Sequence, residues 1–350
     1  TKEAEALLDD TVDIVIGNNQ KHELVTLLNE YEKEHTKQAQ IVDINHEKQE
    51  YEELHLKKTA EHTRAFIKVQ DGCNQFCSYC IIPYVRGACR SKDFNKVIKE
   101  VKTLTENGYQ EIVLTGIHTG NYGVDLKTNF ANLLKELVKI EKLKRLRISS
   151  IEVTELNDAV LEVIKSNKVI VDHLHIPLQA GSDEILKAMN RKYNLDYYKN
   201  KIKQIRSIRP DISISTDIIV GFPGEDEKLF EQTLKTAQSI AFSKIHVFPY
   251  SIRKNTKAAN MPNQVDGKIK KERAKRLIEL SKELEIEYMN KFVGKTVEVL
   301  TENNKDDITY GHTGNFLHVK INKVLPNDLL KMVKITSVSY PYVIGELIDE

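Results

Sequence analysis

Three of the four cysteines in this chain, Cys73, Cys77 and Cys80, have the spacing C-x3-C-x2-C. Cysteine thiolates are the usual protein ligands of iron–sulfur clusters. Three thiolates in one loop can hold three irons of a four-iron cluster and leave the fourth iron without a protein ligand. Catalytic metal sites keep an open position of this kind for a substrate. The spacing therefore predicts a catalytic iron–sulfur site, in which the aromatic Tyr79 can contact the base of a bound cofactor.

A structural zinc site is the alternative use of these thiols. Structural zinc takes four protein ligands, usually as two pairs, and the remaining cysteine, Cys89, follows alone. We expect Cys89 to be a partly buried thiol outside the site. Four cysteines in 350 residues are also too few for a disulfide framework, and free thiols fit a reducing cytoplasm.

Composition limits the classes to which this protein can belong. The 350 residues suffice for two or three domains, and a hydrophobic content of 40% allows a substantial core. The 52 basic residues nearly balance the 51 acidic ones, which excludes a globally basic nucleic-acid-binding protein but not a local basic patch. No apolar run reaches the roughly 18 residues of a membrane span, and no signal peptide is recognisable.

Between residues 65 and 251, short β-rich runs alternate with amphipathic helical patterns. The predicted strands are 66–70, 111–115, 146–150, 173–178, 212–220 and 245–248. Helical spacing of apolar residues follows the first, second and fifth of them. Such alternation predicts an α/β fold with a parallel sheet and right-handed crossovers. Periodicity alone leaves an open sheet and a partial barrel as alternatives.

Polar and small residues follow each predicted strand. Ligand sites of parallel sheets and barrels lie at the carboxyl ends of the strands, and the cysteines follow the first strand. Gly116 follows the second strand, Ser149 lies at the end of the third with Glu152 just after it, and Gln179 follows the fourth. We predict that these residues face one bound cofactor, which the backbone of Gly116 can approach because it has no Cβ.

Other polar residues near the strand ends receive no role. Histidines in such positions more often complete hydrogen bonds than act on a ligand, and this applies to His118, His173, His175 and His246. A cationic loop follows the cysteines and contains Arg86, Arg90 and Lys92. It is either a solvated loop or a contact for a phosphate or carboxylate.

The two ends of the chain differ from this pattern. Residues 1–35 predict helix, strand and helix, as at the end of an α/β domain, and 36–62 predict a polar linker with an edge strand. A helix is predicted at 268–292, and its basic first third is either solvated or placed along a phosphate backbone. Short strands are predicted at 296–300, 310–313, 317–321, 332–338 and 342–348. They suggest a small OB-like β-barrel.

The string 67–83, with Arg86 and Gly87 after it, resembles the radical S-adenosylmethionine (SAM) methylthiotransferases, which carry a C-x3-C-x-aromatic-C motif. The resemblance covers nearly the whole chain. It implies an N-domain remnant in 1–62, a partial (β/α)6 radical SAM barrel with a basic linker helix in 63–290, and an RNA-binding TRAM domain in 291–350. It also implies a 4Fe-4S cluster whose open iron binds SAM, and a separate electron donor.

Within this family, the strings 114–120 and 147–152 resemble the branch that acts on threonylcarbamoyladenosine next to the tRNA anticodon. The resemblance implies that a methylthio group is added to carbon 2 of that adenosine in the anticodon stem-loop. One alternative is a related enzyme acting on isopentenyladenosine in tRNA or on a ribosomal-protein aspartate. Another is a non-catalytic RNA-binding protein with a structural metal.

The family also implies a second, auxiliary 4Fe-4S cluster held by three cysteines of the N-domain. In this chain, which begins at Thr1, no cysteine precedes Cys73. We therefore expect that the residues carrying the auxiliary cluster are missing here and that this cluster belongs to the full-length protein.

Overall fold

The computed structural model describes residues 4–41, 50–52 and 63–348. No helix in these ranges combines the length and the apolar character that a membrane span requires. The remaining residues include most of the predicted linker, so the expectation for 42–49 and 53–62 lies outside the described residues.

The N-terminal part contains strand β1 (Ile14–Ile16), helix α1 (Leu24–Glu34) and strand β2 (Gln38–Gln40). β1 and β2 pair in parallel, which confirms the predicted strand, helix and edge strand. The predicted first helix is wrong for the described residues, where only a short 3-10 turn covers Glu5–Leu7.

The central part of the chain alternates strands and helices. In chain order its elements are β3 (Arg64–Asp71), α2 (Ile82–Arg86), β4 (Arg90–Ser91), α3 (Phe94–Glu106), β5 (Glu111–Gly116), α4 (Phe130–Leu137), β6 (Arg145–Ile148), α5 (Asp158–Ser166), β7 (His173–His175), α6 (Asp183–Ala188), α7 (Leu195–Ile208), β8 (Ser213–Val220), α8 (Glu227–Ile240) and β9 (Lys244–Pro249).

Two neighbouring sheets form a curved wall of parallel strands. One has the order β4-β3-β5-β6 and the other the order β7-β8-β9. Every pair is parallel except β3 with the short β4. Isolated parallel bridges join the sheets, from Leu146 to Ile170 and from Ser150 to His175. The strands β3, β5, β6, β7, β8 and β9 therefore follow one another in chain order, and the predicted partial (β/α)6 barrel is confirmed.

Helix caps and apolar faces fix the outer layer of the barrel. Asp or Asn side chains accept a hydrogen bond from the backbone of the first turn at α3, α4, α5, α7 and α8, which satisfies one of the otherwise unpaired N–H groups there. The buried faces of these helices and the strands share one hydrophobic core.

The fourth barrel strand is shorter than the predicted 173–178. Leu178 N donates to the hydroxyl of Thr216 at 2.8 Å instead of to a backbone carbonyl, and Gln179 adopts a positive φ of 67°. These contacts end the regular ladder after His175. Strand β4 and the short helix α2 were not predicted, and the alternation gave no bounds for α5, α6 and α7.

Helix α9 (Gly267–Asn290) connects the barrel to the C-terminal part. Leu277 and Leu284 pack in the core of the barrel, whereas Tyr288 and Met289 pack in the C-terminal core. In its basic first third, Lys268, Lys271 and Lys275 are exposed, so a solvated face and a phosphate contact both stay open for these lysines. Arg273 is buried, with Nη1 2.9 Å from Glu225 Oε1, and this part of α9 is therefore held against the barrel.

The C-terminal part is a closed five-stranded barrel with the order β10-β11-β12-β14-β13. Its strands are β10 (Thr296–Lys305), β11 (Ile308–Thr313), β12 (His318–Ile321), β13 (Leu330–Ser339) and β14 (Tyr342–Leu347). All five strands were predicted, although β10 extends five residues beyond the predicted end at 300. The small β-barrel is confirmed, while its identity as a TRAM domain stays a prediction.

Candidate functional site

The cysteine loop leaves the end of β3 through a turn that only glycine fits. Gly72 has a φ of +74°, and a Cβ there would lie 2.0 Å from the carbonyl oxygen of Ala88. The buried side chain of Gln70 stabilises the turn by donating to the carbonyl oxygens of Asp71 and Gly72 at 2.8 and 2.7 Å. Its Oε1 accepts from His118 N at 2.7 Å. The loops after β3 and β5 are thus held together.

The far side of the cysteine loop is attached to the segment between α6 and α7. Ser78 N donates to Met189 O at 3.0 Å, and Ser78 Oγ donates to Ala188 O at 2.8 Å. Asn190 Nδ2 donates to Phe76 O at 2.9 Å. The loop is therefore positioned on one side by β3 and the loop after β5, and on the other side by the segment that follows β7.

The three thiols of the motif share a partly buried environment. Gln75 N lies 3.4 Å from Cys73 Sγ, and Arg191 Nη1 lies 3.3 Å from Cys77 Sγ. Burial raises the pKa of Cys80, and the neighbouring Cys77 and Cys73 thiols raise it further. This mutual repulsion would be relieved by a cation shared among the thiolates, and N–H donors directed at sulfur suit a cluster.

Arg191 connects several predicted site residues, although the sequence analysis did not identify it. Its side chain is only 5% exposed and forms an ion pair with Glu152. The Nη1 atom that faces Cys77 also lies 3.5 Å from the hydroxyl of Tyr79. Burial opposes the charge of Arg191, but the surrounding Tyr193, Glu152 and Tyr79 raise its pKa well above the usual value. A permanent positive charge therefore lies beside one cluster thiol.

His118 lies beside another motif thiol, although no role was predicted for it. Its Nδ1 is 3.8 Å from Cys73 Sγ, and its Nε2 is 2.5 Å from Glu155 Oε1. Burial alone lowers the pKa of His118, but the Cys73 thiol and the Glu155 carboxylate raise it to about 10. The position of His118 after a strand could be predicted from the sequence, but its contact with Cys73 depends on the fold.

Ser149 and Gly116 lie near the cysteine loop, as predicted. Ser149 Oγ is 3.3 Å from Thr119 Oγ1, and Thr119 follows His118 in the chain. A Cβ on Gly116 would lie 3.0 Å from Gln70 Oε1 and 3.1 Å from Thr119 Oγ1. The absence of a side chain at Gly116 therefore allows the loops after β3 and β5 to approach each other.

Gln179 is not joined to this group of residues. Its backbone N donates to Asp217 O at 2.8 Å, and its carbonyl accepts from Ile219 N at 2.8 Å. Within the described residues, no hydrogen bond connects its side chain with the cysteine loop. The structure therefore brings Tyr79, Gly116, Ser149 and Glu152 to the cysteines, and it holds Gln179 to β8.

The three cations of the loop after the cysteines pair with carboxylates of the chain itself. Arg90 Nη2 lies 3.0 Å from Asp71 Oδ2, and Arg86 Nε lies 3.1 Å from Asp71 Oδ1. Lys92 is buried in an ion pair with Glu100. Burial raises the pKa of Asp71, but Lys68 and Arg90 outweigh that effect and lower it. These pairs fix the base of the loop, so the solvated loop is wrong for Arg90 and Lys92, which are buried. The side chain of Arg86 is 23% exposed, and its contact with a phosphate or carboxylate stays a prediction.

Cys89 is a buried thiol outside the motif. Gln70 Nε2 lies 3.1 Å from its Sγ, and burial raises its pKa to about 11. A thiol that stays protonated is a poor metal ligand. This agrees with the expectation that Cys89 takes no part in the site.

The donor set fits a cluster with three protein ligands. In the described ranges, no three His, Cys, Asp or Glu side chains converge on a point where they could share one metal ion. The thiols of a four-iron cluster each bind a different iron, so they need not converge on one point. Charged and polar groups at the carboxyl ends of β3, β5 and β6 surround the thiols, where a second ligand can be held against an open iron.

A family model and the related proteins of known name indicate the same family for this chain. Residues 67–237 match the radical SAM superfamily. The threonylcarbamoyladenosine tRNA methylthiotransferase MtaB of Bacillus subtilis is 40% identical over 99% of this chain and 79% of its own length. The tRNA-2-methylthio-N(6)-dimethylallyladenosine synthase of Desulfitobacterium hafniense is 39% identical over 85% of this chain and 67% of its own.

Among solved structures, the radical S-adenosylmethionine methyltransferase TsrM from Kitasatospora setae, with cobalamin and a 4Fe-4S cluster bound, matches 56% of this chain and 38% of its own. The identity is 15% and the TM-score is 0.48.

Proposed function

Because this chain belongs to the radical SAM methylthiotransferases that modify tRNA, we propose that it adds a methylthio group to carbon 2 of threonylcarbamoyladenosine in tRNA. The loop with Cys73, Cys77 and Cys80 carries the proposal, since its three thiols suit a cluster with one open iron. Similarity to MtaB of Bacillus subtilis over almost the whole chain supports this choice of substrate. The adenosine next to the anticodon is the proposed target.

The three motif cysteines would hold a 4Fe-4S cluster, and SAM would bind at its open iron. When reduced, such a cluster supplies the electron that cleaves SAM, and a separate one-electron donor must provide it. The sequence contains four cysteines, of which Cys89 is buried against Gln70, so the proposal assigns one cluster to the described chain.

Five residues are proposed to position SAM. The Arg191 and Glu152 ion pair and the Tyr79 ring lie on the Cys77 side of the loop. Gly116 and Ser149 lie on the Cys73 side, next to Thr119. A zwitterionic methionyl group needs both a cation and an anion beside it, and Arg191 and Glu152 provide that pair. Gln179 would approach SAM only through its side chain, since its backbone bonds to β8.

An RNA substrate also suits the C-terminal barrel. This barrel carries a row of half-buried rings, in which His312 stacks on His318 at 4.4 Å and His318 contacts Tyr342 at 4.5 Å. His312 and His318 also line the space between the two barrels. Lys320 Nζ lies 4.0 Å from the centre of the Tyr342 ring. Aromatic faces combined with cations are the usual surface for unpaired bases and their phosphates. A reducing cytoplasm suits both the tRNA and the free thiols.

Modification of dimethylallyladenosine is a second candidate function. Relatives named for that activity are 39% identical to this chain, for example over 97% of its length in the tRNA-2-methylthio-N(6)-dimethylallyladenosine synthase of Thermoanaerobacter pseudethanolicus. Identity alone therefore does not separate the two tRNA substrates.

The test uses the reconstituted chain with SAM, dithionite and an anticodon stem-loop that carries threonylcarbamoyladenosine with deuterium on carbon 2. We expect 5′-deoxyadenosine to form and to acquire the deuterium, because the radical obtained from SAM must remove that hydrogen before sulfur can be inserted at carbon 2. This result does not depend on sulfur insertion. Formation of 5′-deoxyadenosine without deuterium would contradict the proposed substrate, and no SAM cleavage would contradict the enzyme class.

A further inference from the structure

A cavity of about 550 Å³ lies between the two barrels. On the side of the (β/α)6 barrel, the cavity is lined by Ser149, His175, Ser215 and His246. Phe316 lines it on the side of the C-terminal barrel. A cavity of this volume can take a polar group of several heavy atoms. We call this cavity the interbarrel chamber.

The interbarrel chamber begins next to the cysteine site. Ser149, which lines it, lies 3.3 Å from Thr119 through their hydroxyl oxygens. Thr119 follows His118, whose Nδ1 is 3.8 Å from Cys73 Sγ. A group that extends from a base held at the cysteine site can therefore reach into the chamber.

Hydrogen-bonding groups converge on the chamber from three strands. His175 Nδ1 is 2.9 Å from Ser215 Oγ, and the ring centres of His175 and His246 are 5.6 Å apart. Burial and the nearby His175 lower the pKa of His246, so near neutral pH its imidazole offers one donor and one acceptor. His246 is exposed to the chamber and has no hydrogen-bonding partner among the described residues.

A cation stands at the edge of the chamber. Lys244 has a side chain that is 49% exposed, and its Nζ lies 3.3 Å from Glu285 Oε1. Aliphatic side chains are limited, among the described lining residues, to Met289, Leu317 and Pro341. The chamber is thus built from ring faces, hydroxyls and ring nitrogens rather than from an aliphatic surface.

We propose that the interbarrel chamber binds the threonylcarbamoyl arm of the modified adenosine and thereby selects it over the dimethylallyl arm. This inference rests on the proposed function. The threonylcarbamoyl arm has a carboxylate, a hydroxyl and amide groups, which can bond to His246, Lys244 and the serines. The dimethylallyl arm contains only carbon and hydrogen, so it would bury His246 without a hydrogen-bonding partner, and sites built for hydrogen bonds discriminate strongly against such ligands.

The experiment measures equilibrium binding of two fluorescent anticodon stem-loops to the reconstituted chain with SAM. They are identical except that one carries threonylcarbamoyladenosine and the other dimethylallyladenosine. We expect the first to bind at least about tenfold more tightly, which corresponds to one or two additional hydrogen bonds. His246→Phe keeps a ring of similar size, and Lys244→Met keeps the stem. Each should reduce the ratio to about threefold or less.

Controls separate this inference from the proposed function. Lys235→Met changes an exposed lysine on α8 outside the chamber lining and should keep the tenfold ratio. Equal affinity for both RNAs in the unaltered chain, or an unchanged ratio in both chamber variants, would overturn the inference. Deuterium transfer from carbon 2 reports independently on the proposed function, and it would still be seen if only the chamber assignment were wrong.

Discussion

Arg191 provides the most direct test of how the site is held together. Arg191→Met keeps the apolar stem but removes the guanidinium from Cys77, Tyr79 and Glu152. Glu152 is 17% exposed, so its carboxylate would lose a largely buried partner. Breaking a buried ion pair costs about 3–5 kcal/mol, and partial exposure of Glu152 favours the lower value, about 3 kcal/mol. At about 2–4 °C per kcal/mol, we expect Tm to fall by roughly 6–12 °C.

Thermal unfolding followed by circular dichroism measures this change in Tm, and two further variants test its cause. Arg191→Met combined with Glu152→Gln removes both charges and keeps an acceptor for the turn at Glu155. We expect this double variant to be more stable than Arg191→Met alone. Lys192→Met, at the exposed neighbouring residue, should change Tm by less than about 2 °C. A fall of less than about 2 °C for Arg191→Met, or no recovery in the double variant, would refute the reasoning.

The remaining predictions concern the loop turn, the buried thiol and the RNA surface. Gly72→Ala should abolish iron binding, because its Cβ would clash with backbone at 2.0 Å, whereas Gly108→Ala has a positive φ but open space and should only lower Tm slightly. Equal iron content in both variants would contradict this. Cys89 has a pKa raised to about 11, so its alkylation rate should be about a hundredfold below that of an ordinary thiol at about pH 8. The rate should still rise up to about pH 10, and a plateau near pH 9 would contradict this. Lys320→Met should reduce the salt-dependence slope of RNA binding by about 0.7, and Tyr342→Ala should cost about 1–3 kcal/mol. Unchanged RNA binding in both of these variants would mean that RNA binds to another surface.

Residues close together in sequence were the predictable part of the site. The spacing of Cys73, Cys77 and Cys80 is local, so it could be interpreted without a fold. Ser149 and Glu152 could be placed because residues at the carboxyl ends of parallel strands share one edge. Arg191 could not be placed, since it lies 114 residues from Cys77 in the chain and follows a short helix that the apolar pattern did not reveal.

Charged residues were less predictable than apolar ones. The cations Arg86 and Arg90 resemble a ligand-binding loop in sequence, but Asp71 takes both as ion-pair partners. Strand positions were predictable because buried strands need continuous apolar residues. The early end of β7 was not, because it depends on the Thr216 hydroxyl replacing a backbone acceptor for Leu178.

Anaerobic reconstitution with iron and sulfide tests the central claim most directly. The measurement is iron per chain together with dithionite-driven cleavage of SAM to 5′-deoxyadenosine, with Cys77→Ala as the control. The account predicts about four irons per chain and SAM cleavage, both lost in the variant. Tight binding of zinc without SAM cleavage would contradict it and would leave an RNA-binding protein with a structural metal.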